Sequence, residues 1–127
     1  MLTRLSRPGI QEKLLPLTAN GMAARAGISD LEIGFSARNR REWDDTALAL
    51  MAFDLIETRA AHVRRARQVQ RLLAQAGRPG RKIPDLLIAA AAEQENLVVL
   101  HYDADFDLIS EVTGQLCEWI VPAGSIA

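Results

Sequence analysis

The chain has 127 residues, 49% of them hydrophobic, one cysteine and a formal charge of −1. That length suits one domain with a single core and is too short for two of ordinary size, and the apolar content argues for a packed globule over a disordered chain. Cys117 alone cannot form an internal disulfide, no apolar run approaches the roughly 20 residues of a membrane span, and Met1–Arg7 lacks the apolar core of a signal peptide, so a soluble cytoplasmic protein is expected.

Pro8–Leu15 reads as a short helix with Leu14 and Leu15 turned inward. Pro16 stops it, because proline disfavours helical geometry in the residue before it, and Asn20-Gly21 marks the turn that follows. Met22–Ile28 suits a short strand, and Ser29-Asp30-Leu31-Glu32 opens a helix running to about Arg38. A polar stretch, Asn39–Asp45, leads into a helical turn or two over Thr46–Ala52, and Phe53–Glu57 reads as a strand.

Thr58–Ala76 is the clearest helix: Thr58 is a good cap, and Val63, Ala66, Val69, Leu73 and Ala76 recur at three- and four-residue spacing. Gly77 ends it and Arg78-Pro79-Gly80 forms a loop. Pro84 sits at a first helical position, and Asp85–Asn96 is apolar over most of its length, as a buried helix is. Leu97–Leu100 is a continuous apolar run of the kind a strand covered on both faces shows. Asp103–Asp107 leads into a short helix, and Trp119-Ile120-Val121 forms a last strand. Helices alternating with short buried strands imply an α/β sandwich around a parallel sheet, with sites at the carboxyl ends of the strands.

The near-zero charge conceals a division. Arg59, Arg64, Arg65, Arg67, Arg71, Arg78, Arg81 and Lys82 fall within Thr58–Lys82, where there is no acid, and the remaining 102 residues carry a balance of −9. A solvated helix face is the plain reading of such a run; a phosphate-binding face is the functional one.

Three acidic positions fall where the strand-end rule places a site: Glu32, Asp85 and Asp103, with Asp105 and Asp107 behind the last. Carboxylates gathered at strand ends repel one another unless they share a hard cation such as Mg²⁺ or Mn²⁺. Each also has a structural reading. Ser29-Asp30-Leu31-Glu32 fits a capping box, Asp85 beside Pro84 stands where a helix dipole favours an acid, and Asp103–Asp107 suits a helix-start loop. A calcium loop there fails, because Leu108 and Gly114 stand where glycine and glutamate are needed. His62 and His101 are too far apart to pair by local spacing, and His101 is read as a strand-end packing residue or a phosphate contact. No phosphate-binding P-loop, nucleophile elbow, zinc-protease motif or dinucleotide fingerprint occurs.

Ile28-Ser29-Asp30-Leu31-Glu32-Ile33-Gly34-Phe35-Ser36-Ala37-Arg38, Lys82-Ile83-Pro84-Asp85-Leu86-Leu87-Ile88-Ala89-Ala90 and His101-Tyr102-Asp103-Ala104-Asp105-Phe106 closely resemble the PIN-domain ribonuclease toxins of VapBC toxin–antitoxin systems, in particular the actinobacterial VapC type. Thr113-Gly114-Gln115 and Trp119-Ile120-Val121 look like the same group, so the resemblance covers essentially the whole chain. It implies a single PIN-like domain, a three-layer α/β/α sandwich around a mostly parallel sheet. It also implies a Mg²⁺-dependent endoribonuclease, with Mn²⁺ as an alternative, that is held inactive by a VapB-like antitoxin and is commonly a homodimer. By the same resemblance, Glu32, Asp85 and Asp103 match the family's acidic, metal-binding cluster, with Asp105 as a supporting member. Arg64, Arg65, Arg67, Arg71, Arg81 and Lys82 are candidate RNA contacts.

One departure stands out. Such domains begin with a central strand that ends in a metal-binding aspartate, whereas Met1-Leu2-Thr3-Arg4-Leu5 already resembles the helix that follows it. The first strand and its Asp are therefore expected to be absent. A start assigned too late, a remnant completed by a partner, and replacement by Asp30 would each account for this. The competing functional readings are a degenerate module of the same fold that binds antitoxin or RNA without cleavage, and a nuclease of RNA maturation unconnected to an antitoxin.

Overall fold

The computed structural model describes residues 24–101 and 104–119, with the backbone alone at Leu100 and Trp119. The helix expected over Pro8–Leu15, the turn at Asn20-Gly21, the start of the chain where a first strand is expected to be absent, and Asp103 lie outside the described residues. In chain order the elements are β1 (Ala24–Ala26), α1 (Gly27–Phe35), α2 (Arg40–Leu50), β2 (Asp54–Ile56), α3 (Ala60–Gln75), α4 (Ile83–Gln94), β3 (Val99–His101), α5 (Asp105–Thr113) and β4 (Cys117–Trp119).

Among the described residues the strands form two parallel pairs, β1 with β2 and β3 with β4. Ala26 stands opposite Ile56, and Val99 opposite Cys117. Parallel pairing needs a helical crossover, and α1–α2 and α5 supply the two. The last described strand is Cys117–Trp119; Ile120 and Val121 of the strand expected over Trp119–Val121 lie outside the described residues.

The α3 helix follows its periodicity. His62, Ala66, Val69 and Leu73 are buried, while Val63 is 46% exposed. Its N-cap is Arg59 rather than Thr58, and the Arg59 backbone N–H donates to His62 Nδ1 at 3.1 Å. The α4 helix buries Leu86, Ile88 and Ala89–Ala92, so its small side chains let α3, α5 and β3 approach closely. Leu86, Ile88, Ala89, Ala91 and Ala92 join Ala26, Val99, Phe106 and Ile109 in one core. Asn96, in the left-handed region at φ 55°, turns the chain out of α4, so the helix stops at Gln94.

Two boundaries differ from the sequence reading for local reasons. The α2 helix begins at Arg40, inside the stretch read as polar loop, because Asn39 Oδ1 accepts the Glu42 backbone N–H at 2.9 Å and caps it. The α1 helix begins directly after β1, with Ala26 as its N-cap. Ser29 therefore lies inside the first turn, 1% exposed, and the capping box expected from Ser29 and Glu32 is not formed.

Arg25 ties these elements together. Its guanidinium donates to the Leu50 and Phe53 carbonyls and pairs with Asp30 at 3.0 Å, joining the end of α2 and the turn after it to α1.

Candidate active site

Three chain segments meet where the sequence places chemistry: the end of β3, the start of α4 and the start of α5. Pro84 lies in the first turn of α4 and Lys82 is the N-cap, which leaves Asp85 as the first-turn acid. Asp85 is 4% exposed, directly before the apolar run Leu86–Ala92. Burying a carboxylate is costly without compensation. The Lys82 ammonium, 4.0 Å from Asp85 Oδ2, and the positive end of the α4 dipole set positive charge beside this carboxyl group.

Asp105 and Asp107 occupy the first turn of α5. Arg81, just before α4, donates from Nη1 to Asp105 Oδ1 at 2.9 Å and from Nη2 to the Pro79 carbonyl at 3.3 Å. The start of α4 is thereby clamped to the start of α5. Phe106, between the two acids, is fully buried and its ring lies 5.0 Å from that of His101 at the end of β3. His101 is 1% exposed, with Nε2 3.8 Å from Asp107 Oδ1. Its packing reading is the one the geometry supports.

Glu32 is exposed on α1, a helix that packs against α4. The structure thus puts Asp85 and Asp105 at neighbouring helix starts, with Glu32 on an adjoining helix; Asp103 is outside the described residues. Among the described residues, no three His, Cys, Asp or Glu side chains gather closely enough to hold a metal ion. The donors that do face this region are carboxylates, and a buried acid at a helix start fits a hard divalent cation by chemistry.

The basic strip separates into two groups. Arg65 donates to both carboxylate oxygens of Glu93 at 2.7 and 3.2 Å, and Arg59 lies 4.0 Å from Glu95, so α3 and α4 run antiparallel. Arg64, Arg67 and Arg71 are exposed. Sequence reasoning missed the pairing of Arg81 with Asp105, assigning one to RNA and the other to metal; opposite charges 24 positions apart carry no local signal. It also missed Arg25, whose carbonyl partners are equally distant in sequence.

A model of the PIN domain matches residues 12–112. Ribonuclease VapC51 of Mycobacterium tuberculosis is 61% identical over 99% of this chain and 92% of its own length. Ribonuclease VapC21 from the same species is 40% identical over 96% and 90%. Among solved structures, the fold is similar to DNA-bound VapBC from Salmonella typhimurium (TM-score 0.75, 18% identity, 94% of this chain and 89% of that one) and to DNA-bound VapBC2 from Rickettsia felis (TM-score 0.72, 20% identity, 88% and 85%). The fold is that of a PIN domain. The chain belongs to the PIN-domain family and, within it, to the VapC ribonucleases.

Proposed function

We propose that this chain is the toxin of a toxin–antitoxin pair, a metal-dependent endoribonuclease that hydrolyses RNA phosphodiester bonds in the cytoplasm. The observation that carries the reading is 61% identity, along 99% of the chain, to a protein named as a ribonuclease. The buried acid at the start of α4 supports it. Asp85, Asp103 and Glu32 would hold Mg²⁺ or Mn²⁺, with Asp105 in support. When bound, the cation supplies a more acidic water and countercharge for the transferring phosphate.

The chain's own residues prepare that site. Pro84 and the first turn of α4 fix the Asp85 carboxylate, and Arg81 fixes Asp105. Phe106, locked in the core, sets the direction in which α5 presents its acids. Of the basic strip, Arg81 and Lys82 stand beside these acids, where an approaching phosphate would meet them.

Both solved structures compared above are VapBC complexes, which supports a VapB-like antitoxin as partner. Leu31 and Phe35 on α1, Leu48 on α2 and Met51 just after it are exposed apolar side chains, Phe35 by 92%, as expected of a protein covered by another chain, either antitoxin or a second copy in a homodimer. Among the described residues no helix is long and apolar enough to cross a membrane.

Incubating the protein with total RNA, with and without Mg²⁺ or Mn²⁺, tests the proposal. Discrete cleavage products that EDTA and Asp85→Asn each abolish are the expected result. Cleavage that survives Asp85→Asn overturns the metal role of Asp85, and RNA bound without cleavage under all conditions reassigns the chain to a binding module.

A further inference from the structure

Eight cations lie from Arg59 to Lys82, and most of those near the α3–α4 seam are committed to acids. Arg65 holds Glu93, Arg59 lies beside Glu95, Arg81 holds Asp105 and Lys82 stands near Asp85. Arg64, Arg67 and Arg71 differ: they are exposed and form no ion pair among the described residues.

Their placement on α3 is regular. At about 3.6 residues per turn, positions 64, 67 and 71 fall on one stripe, opposite the buried stripe of His62, Ala66, Val69 and Leu73. The stripe spans about 10 Å along the helix axis. Like charges three and four residues apart weaken a helix, and no acid on α3 relieves them. A row of unpaired guanidiniums with this spacing is complementary to a rigid polyanion, because each planar fork can take a phosphate.

The row is also directed. The Arg65–Glu93 and Arg59–Glu95 pairs set α3 antiparallel to α4, so the C-terminal end of α3 lies toward Asp85 and Arg64 lies near the level of Glu93. Asp85 and Glu93 are separated by about 12 Å along α4. We propose that the outward face of α3, formed by Arg64, Arg67 and Arg71, docks the backbone of a folded RNA at a surface separate from the acids around Asp85. The proposal rests on the ribonuclease reading and adds to it a second contact surface, on the outward face of α3 and apart from the acids. Double-helical RNA displays its phosphates at fixed spacing, which a short flexible strand does not.

Binding of bulk transfer RNA in EDTA, followed across salt concentrations, tests this. The surface variant R64Q/R67Q/R71Q is expected to bind about a hundredfold more weakly near 0.1 M salt, with the slope of log K against log salt reduced by about two. The charge-matched variant R38Q/R40Q/R41Q, around the start of α2, is expected to keep the parent slope. An unchanged slope in the α3 variant, or an equal loss in the α2 variant, overturns the docking face while leaving the ribonuclease reading intact. A parent protein that neither binds nor cuts RNA overturns both. If the α3 variant keeps its RNA affinity but loses binding to polyglutamate, the face belongs to an acidic protein segment and the proposal is overturned.

Discussion

Arg81 Nη1 and Asp105 Oδ1 meet at 2.9 Å, joining the starts of two helices through one charged hydrogen bond. The side chains are only 28% and 16% exposed, so solvent screens the pair weakly. Arg81→Gln and Asp105→Asn are each expected to lower the unfolding free energy by about 1–3 kcal/mol, since each leaves a partly buried polar group without its partner. The double variant is expected to lose less than the two single losses together, with a coupling of about 1–2 kcal/mol. A urea-unfolding double-mutant cycle measures it, and additive losses would show that the pair contributes no coupling.

His62 gives the protein a pH dependence. Burial, aided by the Arg59 charge, lowers its pKa from the usual 6.5, and Nδ1 must stay unprotonated to accept the Arg59 N–H. The unfolded chain therefore takes up a proton at higher pH than the folded one. Stability from this group is complete above 6.5 and is lost as pH falls through that value toward the lower folded pKa. Urea midpoints at pH 7.5 and 5.5 should show a fall that is smaller in His62→Gln; an equal fall in both proteins would assign the effect elsewhere.

Cys117 should be inert. Burial, with the Asp107 carboxylate nearby, raises its pKa to about 11, so little thiolate exists at pH 8. Ellman's reagent is expected to react about a hundredfold more slowly with the native protein than with the urea-unfolded chain. Comparable rates would contradict the assigned environment.

Gly34 sits under the Trp43 indole. A methyl group there would come within 2.7 Å of Trp43 Nε1, so Gly34→Ala must displace the ring. Trp43 is 52% exposed and has room to swing into solvent, and alanine is the better helix former by about 1 kcal/mol. The net stability change is expected to stay within about 1 kcal/mol while tryptophan emission shifts to the red. An unshifted spectrum would mean that the indole does not rest on Gly34.

What could be read from the sequence depended on whether the deciding interaction was local. Ala66, Val69 and Leu73 announce the buried face of α3 because a helix repeats its own pattern. The apolar run after Asp85 likewise identifies α4, and Asp85 sits in its first turn as the Pro84 signal implies. The start of α2 was legible too, in Asn39 followed three residues later by Glu42, but the charged residues behind it mask the signal. Ser29 misleads because a strand runs straight into a helix, leaving no loop for a cap. Arg81 with Asp105, Arg65 with Glu93 and Arg25 with two distant carbonyls depend on tertiary approach, which no short window contains. The grouping of the site acids depends on the same approach.

The parallel pairing of the strands governs how the chain can fold. Ala26 meets Ile56 only after 30 positions, with α1 and α2 between them, and Val99 meets Cys117 only after α5 has been placed. Neither strand pair has a hairpin to nucleate it, and loop closure must precede any reward from pairing. The α3–α4 hairpin, whose contacts are nearer in sequence, is the natural first unit. Until the strands arrive, the alanine-rich flank of α4 stands open to other chains, so rapid synthesis at high concentration favours aggregation over the native sheet.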